Sequence, residues 1–232
     1  MTIPKNLREV VLDTETTGLS HANGDRIVDI ACVELINHIP TGSTYQVYIN
    51  PEREMQRDAV AISGITDEFL VGKPLFHEIV DDFLGFVQDS ILVIHNAKFD
   101  IGFLNNELAH LDKPQFSMKN TVDTLEMARK KFPGSPASLD ALCKRFEIDT
   151  SARTKHGALI DCFLLAEVYI NLLGGRQSDL SFHNDNAAAG STSGGLKRTK
   201  TTRARRYFAL SENEKASHEE FLKTIHNPIW KQ

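Results

Sequence analysis

Two patterns of apolar and polar positions alternate along the first 175 residues. Short runs rich in Val, Ile and Tyr predict β-strands at residues 10–12, 27–36, 45–49 and 91–94. Turn-forming residues at 37–42 separate the second run from the third, so these two are expected to form a hairpin. The first and fourth runs are continuously apolar, which is typical of strands buried on both faces.

The longer segments have the periodicity of amphipathic helices. Apolar side chains recur three and four positions apart over residues 76–87, which predicts a helix there. Further helices are predicted at residues 98–110, 122–131, 138–146 and 157–173. Strands that come first, followed by strands mixed with helices, predict an α/β fold with a mixed β-sheet flanked by helices.

The composition changes after residue 175. Residues 183–202 have almost no apolar side chains, which is typical of a flexible linker, and six Lys and Arg lie between residues 197 and 206. Ser211 and Glu214 have the spacing of a helix capping box. A short helix is therefore expected after this linker. Its apolar side would consist of Ala216, Phe221, Leu222 and Ile225.

Charge and composition narrow the classes of function. Residues 1–176 carry 17 Lys and Arg against 25 Asp and Glu. Such an acidic body does not hold nucleic acid by charge alone, so an enzyme that acts on nucleic acid would need metal ions or a partner here. Three separated cysteines without a CxxC pattern indicate reduced thiols. No run reaches about 18 apolar residues and the first nine residues lack the apolar core of a secretory signal, so a cytoplasmic location is expected.

The segment after the first predicted strand contains two acids, Asp13 and Glu15. Side chains two positions apart on an extended chain point to the same side, so these carboxylates are expected to project together. Neighbouring carboxylates repel unless a cation binds them, and oxygen-only ligands suit Mg²⁺ or Mn²⁺ rather than zinc. Taken alone, so short a pattern is more often two solvated charges in a turn.

Three further residues strengthen the interpretation as a metal site. Asp100 follows the predicted strand at 91–94 and opens the next helix. His156 and Asp161 lie little more than one helical turn apart, so both can face one cleft, although an isolated histidine is more often a surface or capping residue. Asp161 has apolar neighbours, where an acid is costly unless it is paired or binds a metal.

The order of these motifs resembles that of the histidine-type DEDD family of 3′–5′ exonucleases. The resemblance covers about residues 8–175 and rests on DxE at 13–15, HNxxFDIxF at 95–103 and HxxxxD at 156–161. Within that family the sequence is similar to the proofreading epsilon subunits of bacterial DNA polymerase III. One departure is Ser63, because members of this subgroup commonly have histidine at that place.

The resemblance implies a ribonuclease-H-like fold and hydrolysis with two metal ions. Asp13, Glu15, Asp100 and Asp161 match the four acids that hold two Mg²⁺ or Mn²⁺ ions, which clamp the attacking and leaving oxygens at phosphorus. His156 matches the general base, a role that suits histidine because its unperturbed pKa is about 6.5. The residues expected to lie near the terminal nucleotide are Thr14, Thr16, Gly18, Ser63, Asn96 and Phe99.

A second resemblance concerns the tail. Gln177, Leu180 and Phe182 form the pattern Q-x-x-L-x-F, which resembles the peptide that bacterial replication proteins use to bind the sliding clamp (beta), although so short a pattern also arises by chance. The tail that follows carries more large apolar groups than a solvated tail would. It is expected to bind the polymerase catalytic (alpha) subunit through Phe208, Phe221, Leu222, Ile225 and Trp230.

The sequence therefore predicts four parts. They are an exonuclease domain at 1–176, a clamp-binding peptide at 177–182, a flexible linker at 183–206 that is basic at its C-terminal end, and a polymerase-binding tail at 207–232. The leading functional hypothesis is a proofreading DNA exonuclease that acts on primer 3′ ends, single-stranded or frayed. An RNA-trimming member of the same family is the first alternative, and the tail argues against it. A catalytically inactive tether between polymerase and clamp is the second, and the intact acids argue against it.

Overall fold

The computed structural model describes residues 7–151, 156–175 and 211–224. The chain divides into two units after Ser181, so the first two of these ranges belong to one unit and the third range to the other. Within the described ranges, no helix has both the length and the apolar character needed to cross a membrane.

A five-stranded mixed sheet lies at the centre of the first unit. Its strands are β1 (Arg8–Thr16), β2 (Ile27–Ile36), β3 (Ile39–Tyr48), β4 (Ile91–Ile94) and β5 (Thr121–Asp123). The strand order is β3-β2-β1-β4-β5. β2 pairs antiparallel with both of its neighbours, β1 and β3. The pairings of β1 with β4 and of β4 with β5 are parallel. This topology confirms the predicted mixed sheet.

Helices cover both faces of the sheet. Those described in this unit are α1 (Arg57–Ser63), α2 (Asp67–Leu70), α3 (Phe76–Val87), α4 (Ala97–His110), α5 (Thr124–Lys131), α6 (Leu139–Arg145) and α7 (Ala158–Leu172). Apolar residues of α3 and α4 form a core cluster with Val10 and Leu12 of β1. Residues of α7 form a second cluster with Val11. Because side chains alternate along a strand, even-numbered residues of β1 face α4 and odd-numbered residues face α7.

Two strand boundaries differ from the prediction. β1 stays paired with β2 as far as Thr16, so Asp13 and Glu15 lie inside the strand and not after it. The hairpin turn consists of Asn37 and His38 alone, both with positive φ (52° and 65°), and β3 begins directly afterwards. The predicted loop over 37–42 was therefore too long. Polar and small residues at 41–44 belong to an exposed edge strand, where the alternation of apolar positions is weak.

Two short α-helices and one short strand were not predicted. Helices α1 and α2 have seven and four residues, which is too short to show a helical period. β5 occupies the start of the segment predicted as a helix at 122–131. The helix begins only at Thr124, because the carboxylate of Asp123 accepts hydrogen bonds from the backbone N–H groups of Leu125 and Glu126 and so caps it. All three cysteines are buried, as expected for core thiols.

The described part of the second unit is helix α8 (Glu212–Thr224). Its predicted capping box is confirmed, because Ser211 Oγ accepts from the N–H of Glu214 at 3.3 Å and Glu214 Oε2 accepts from the N–H of Ser211 at 2.8 Å. Phe221 is 59% exposed on this helix and Leu222 is partly buried. Ile225, the last residue of the predicted apolar side, lies outside the described residues.

Candidate active site

Carboxylates from a strand and a helix meet on the α7 side of the sheet. Asp13 and Glu15 are odd-numbered residues of β1, and Asp161 lies in the first turn of α7. One carboxylate oxygen from each of the three lies within 4.8 Å of the other two. These acids therefore lie close together, as expected from the sequence. Their role as metal ligands stays a prediction.

Asp100 reaches the same end of β1 from the opposite side. It lies in the first turn of α4 and is 3% exposed. Its Oδ1 accepts hydrogen bonds from the backbone N–H of Thr14 at 3.1 Å and from the Thr14 hydroxyl at 2.7 Å. Thr14 is an even-numbered residue and faces α4, which is why Asp100 on α4 can contact it, while the charge of Asp100 still acts on Asp13.

Burial and neighbouring charges raise the pKa values of two of these acids, Asp13 and Asp100. Burial is the largest cause that raises the pKa of Asp13 well above its ordinary value, and the charges of Asp100, Glu15 and Asp161 raise it further. The pKa of Asp100 is raised to about 7 by burial, against the hydrogen bonds from Thr14, which lower it. A divalent cation would stabilise the charged forms of these crowded carboxylates. The cluster is therefore suited to binding such an ion.

His156 lies beside the cluster. Its Nδ1 is 3.3 Å from Oδ2 of Asp161, and its side chain is 45% exposed. Its backbone N–H donates to the carbonyl of Ile62 at 3.3 Å, so the end of α1 and the start of α7 meet at this residue. The structure therefore brings the predicted general base next to the acids, partly open to water.

A cavity of about 200 Å³ adjoins the acids. Four of the predicted nucleotide contacts line it, namely Thr14, Thr16, Gly18 and Phe99. A Cβ atom at Gly18 would clash with the side chains of Gln56 and Asp25, so glycine permits the close approach of this loop to the segment before α1. Thr16 is turned inward, because its hydroxyl donates to the carbonyl of Gly18 at 2.6 Å.

The other two predicted contacts are not among the lining residues of this cavity. Ser63 lies at the end of α1, where its hydroxyl donates to the carbonyl of Ala59 at 2.9 Å. Asn96 is an exposed residue at the start of α4. The assignments of Ser63 and Asn96 as nucleotide contacts therefore stay predictions, and this cavity does not support them.

One wall of the cavity consists of residues that were not predicted from the sequence. The additional lining residues are Leu19, Gln56, Asp58, Ala59 and Ile62. The sequence carries no periodic signal for this wall, because α1 is too short, and only the structure shows that Leu19 is 81% and Ile62 51% exposed. Large exposed apolar side chains beside a cleft indicate a binding surface.

A fifth acid, Asp29, was also missed. It lies opposite Glu15 in the β1–β2 register and is completely buried. Its carboxylate accepts a hydrogen bond from Gln46 Nε2 at 3.0 Å and another from the backbone N–H of Ala158 at the start of α7. Burial raises its pKa to about 7. The available signal was an acid with apolar residues on both sides within the run at 27–36.

The predicted tail contacts can be compared with the structure only in part. Gln177, Leu180, Phe182, Phe208, Ile225 and Trp230 lie outside the described residues. Phe221 and Leu222 lie on α8. The clamp-binding and polymerase-binding assignments stay predictions.

The shifted pKa values predict a stability that depends on both pH and Mg²⁺. Without metal, the raised pKa values of Asp13 and Asp100 mean that the folded state binds more protons than the unfolded state between about pH 4 and pH 7. The free energy of unfolding therefore falls as the pH rises through this window. We expect Mg²⁺ to raise the melting temperature more at about pH 8 than at about pH 5. NaCl at equal ionic strength is the control, and equal Mg²⁺ shifts at both pH values would contradict the prediction.

Comparison with known protein families identifies the fold and the kind of enzyme. A family model described as "Exonuclease" matches residues 10–169. Among solved structures, Exonuclease X in complex with 5′ overhanging duplex DNA is 26% identical, covers 72% of this chain and 91% of its own, and has a TM-score of 0.56. The nuclease domain of 3′hExo, a DEDDh family member bound to rAMP, has a TM-score of 0.62 at 16% identity, covers 73% of this chain and 93% of its own, and shows the fold. The predicted ribonuclease-H-like fold is thereby confirmed.

Relatives are similar over most of the chain. DNA polymerase III subunit epsilon of Rickettsia felis is 49% identical over 223 residues, which is 95% of this chain and 97% of that protein. The subunit epsilon of Escherichia coli K12 is 48% identical over 179 residues, which is 74% of this chain and 73% of that protein. The family model and these relatives agree with the resemblance seen in the sequence motifs, and the chain belongs to the exonuclease family.

Proposed function

We propose that this chain is the proofreading 3′–5′ DNA exonuclease of a bacterial replicase, located in the cytoplasm. The observation that carries the proposal is the placement of His156 within 3.3 Å of Asp161, beside a three-acid cluster and a cavity. The names of the relatives support the replicase assignment, since they are subunits of DNA polymerase III. The chain covers nearly the whole length of the Rickettsia felis relative, so the tail takes part in this similarity.

The acids would hold two divalent ions, Mg²⁺ or Mn²⁺. Asp13, Glu15 and Asp161 offer oxygen ligands from one cluster, and Asp100 offers another from the α4 side. When bound, such ions neutralise charge at the phosphodiester and act as Lewis acids. The oxygen-only ligand set and the crowding of half-buried and buried carboxylates support this assignment.

His156 would act as the general base. With its Nδ1–H directed at Oδ2 of Asp161, Nε2 is the ring atom that can accept a proton from the attacking water. Asp161 would thus fix the orientation of the imidazole. The partial exposure of His156 leaves room for that water and for the scissile phosphate.

The cavity would bind the terminal nucleotide of the primer. Leu19, Ile62 and Phe99 supply apolar surface on its walls, which suits contact with the face of a base of any sequence. Thr14 and Thr16 also line this cavity, and hydrogen bonds to Asp100 and to the carbonyl of Gly18 hold their hydroxyl groups in place. A DNA 3′ end that is single-stranded or frayed fits this open cavity.

The tail would connect the exonuclease to its partners. We infer that Gln177, Leu180 and Phe182 bind the sliding clamp (beta) and that residues 207–232 bind the polymerase alpha subunit. The exposed Phe221 on α8 is compatible with such a contact, because a helix that exposes a large apolar side chain gains by burying it in a partner. The parts at 1–176, 177–182, 183–206 and 207–232 keep the boundaries predicted from the sequence.

A truncation tests both halves of this proposal. A chain that ends at Arg176 is expected to release nucleotides from a DNA primer 3′ end at the full-length rate, because all the site residues precede that point. It is expected to lose co-purification with the polymerase subunit, because it lacks the apolar tail that is proposed to bind that subunit. Its proofreading within the replicase should then be lost, since the tether no longer gives it a high local concentration. Binding to the polymerase with full-length affinity would contradict the tail assignment. Faster release from RNA than from DNA would instead favour the RNA-trimming alternative.

A further inference from the structure

The turn that connects β4 to α4 is unusually tight. β4 ends at Ile94 and α4 begins at Ala97, so only His95 and Asn96 lie between them. Asn96 has a left-handed backbone conformation (φ 65°, ψ 52°), and its side chain makes no capping hydrogen bond to the helix. Ala97 is completely buried, so water cannot satisfy its backbone N–H.

The carboxylate of Asp123 holds this turn from the neighbouring strand. Its Oδ1 accepts from the N–H of Asn96 and its Oδ2 accepts from the N–H of Ala97, both at 3.2 Å. The next residue adds a second link, because Thr124 Oγ1 lies 2.9 Å from His95 Nδ1 and donates to the carbonyl of Ile94 at 3.3 Å. In the parallel register, Asp123 lies opposite Ile94 and therefore directly beside the turn.

The Asp123 carboxylate accepts hydrogen bonds at the start of two helices, α4 and α5. Oδ1 also accepts from the N–H of Leu125 at 2.9 Å and from that of Glu126 at 3.3 Å, which caps α5. The start of α4, in contrast, depends on a residue that lies 26 positions further along the chain. The first turn of α4 carries Phe99, which lines the cavity, and Asp100, which lies beside the acid cluster.

We propose that Asp123 is a positioning residue of the exonuclease site. Its carboxylate fixes the strained β4–α4 turn and thereby sets where Asp100 and Phe99 stand relative to the acids on β1. It acts through these residues and does not itself touch the substrate. The proposal rests on the function proposed above for the same site.

Asparagine at this position tests the proposal selectively. In Asp123→Asn the amide oxygen can replace Oδ1 and still cap α5. The NH₂ group then takes the position of Oδ2 and faces the N–H of Ala97, so that two hydrogen-bond donors oppose each other. We expect kcat for release of nucleotides from a DNA 3′ end to fall by about 10–100-fold, as for other residues that orient ligands from outside. The Mg²⁺ concentration for half-maximal rate is expected to rise, because Asp100 is displaced.

A matched control separates positioning from loss of a helix cap in general. Ser138 caps α6, where its Oγ accepts from the N–H of Ala141 at 3.3 Å, and α6 carries none of the site residues. Ser138→Ala should lower the melting temperature to a similar degree and leave both kcat and the Mg²⁺ requirement unchanged. Asp123→Ser, which can still cap α5 but is too short to reach Ala97, is the second variant, and it should behave like Asp123→Asn.

The outcomes distinguish this proposal from the one on which it rests. If the wild-type chain releases nucleotides and both Asp123 variants match Ser138→Ala in kcat and Mg²⁺ requirement, Asp123 is only a cap and the positioning role is wrong. If the wild-type chain does not hydrolyse DNA in the same assay, the proposed function itself fails. A folded Asp123 variant with reduced kcat and a raised Mg²⁺ requirement supports the positioning role.

Discussion

Asp13→Asn is expected to reduce hydrolysis of a DNA primer by about 10³-fold or more while the protein stays folded. Asp13 belongs to the three-acid cluster, and losing several kcal/mol of transition-state stabilisation by a divalent ion corresponds to about that factor. The carboxylate that is removed is one whose charged form is disfavoured by burial and by its neighbours. The metal-free variant should therefore melt at the wild-type temperature or above it.

Asp81→Asn provides the matched control for this substitution. Asp81→Asn is the same chemical change at a surface position. The side chain of Asp81 is 80% exposed and pairs with Lys113. It should leave the rate of hydrolysis unchanged, because surface pairs of this kind contribute little. An Asp13→Asn protein that keeps an appreciable fraction of the wild-type rate would overturn the assignment of Asp13 as a ligand.

His156→Ala is expected to lower kcat by about 10²–10⁴-fold, the range for a positioned general base. The three acids stay in place, so the Mg²⁺ concentration for half-maximal rate should change little. The profile of rate against pH should also lose the limb that reports deprotonation of the base. Initial rates of nucleotide release, measured across pH at saturating Mg²⁺, check all three statements.

His77→Ala is the corresponding control, since His77 is an exposed residue of α3. It should retain both the rate and the pH profile of the wild-type protein. If His156→Ala behaved in the same way, His156 would have a structural role at the contact between α1 and α7, and another residue would have to accept the proton.

The strands and helices with strong periodicity could be predicted from the sequence alone. β2, β4 and α3 have the predicted boundaries because each is defined by a regular apolar pattern that ends at turn residues. The edge strand β3 could not be delimited, because its exposed side chains lack an apolar face. The short helix α1 could not be found at all, and with it the wall of the cavity formed by Gln56, Ala59 and Ile62 was missed.

The acids and the histidine that lie together in the structure could be named from the sequence, but not their arrangement or all of their neighbours. Residue spacing indicates that Asp13 and Glu15 share one side of β1, and the structure agrees. Spacing does not indicate that Asp100 approaches from the α4 side and is held by Thr14, because that depends on which face of the sheet each helix covers. Asp29 and Asp123 were missed for a similar reason, since their partners are backbone N–H groups that are distant in sequence.

The most direct test of the central claim is the release of a 3′-terminal mismatched nucleotide from a labelled DNA primer. The wild-type chain is expected to release mononucleotides one at a time from the 3′ end, only when Mg²⁺ or Mn²⁺ is present, and faster from DNA than from an RNA oligomer of the same sequence. Asp13→Asn should release almost none under the same conditions. Release from the 5′ end, release in the presence of a chelator, or equal rates for wild type and Asp13→Asn would contradict the account.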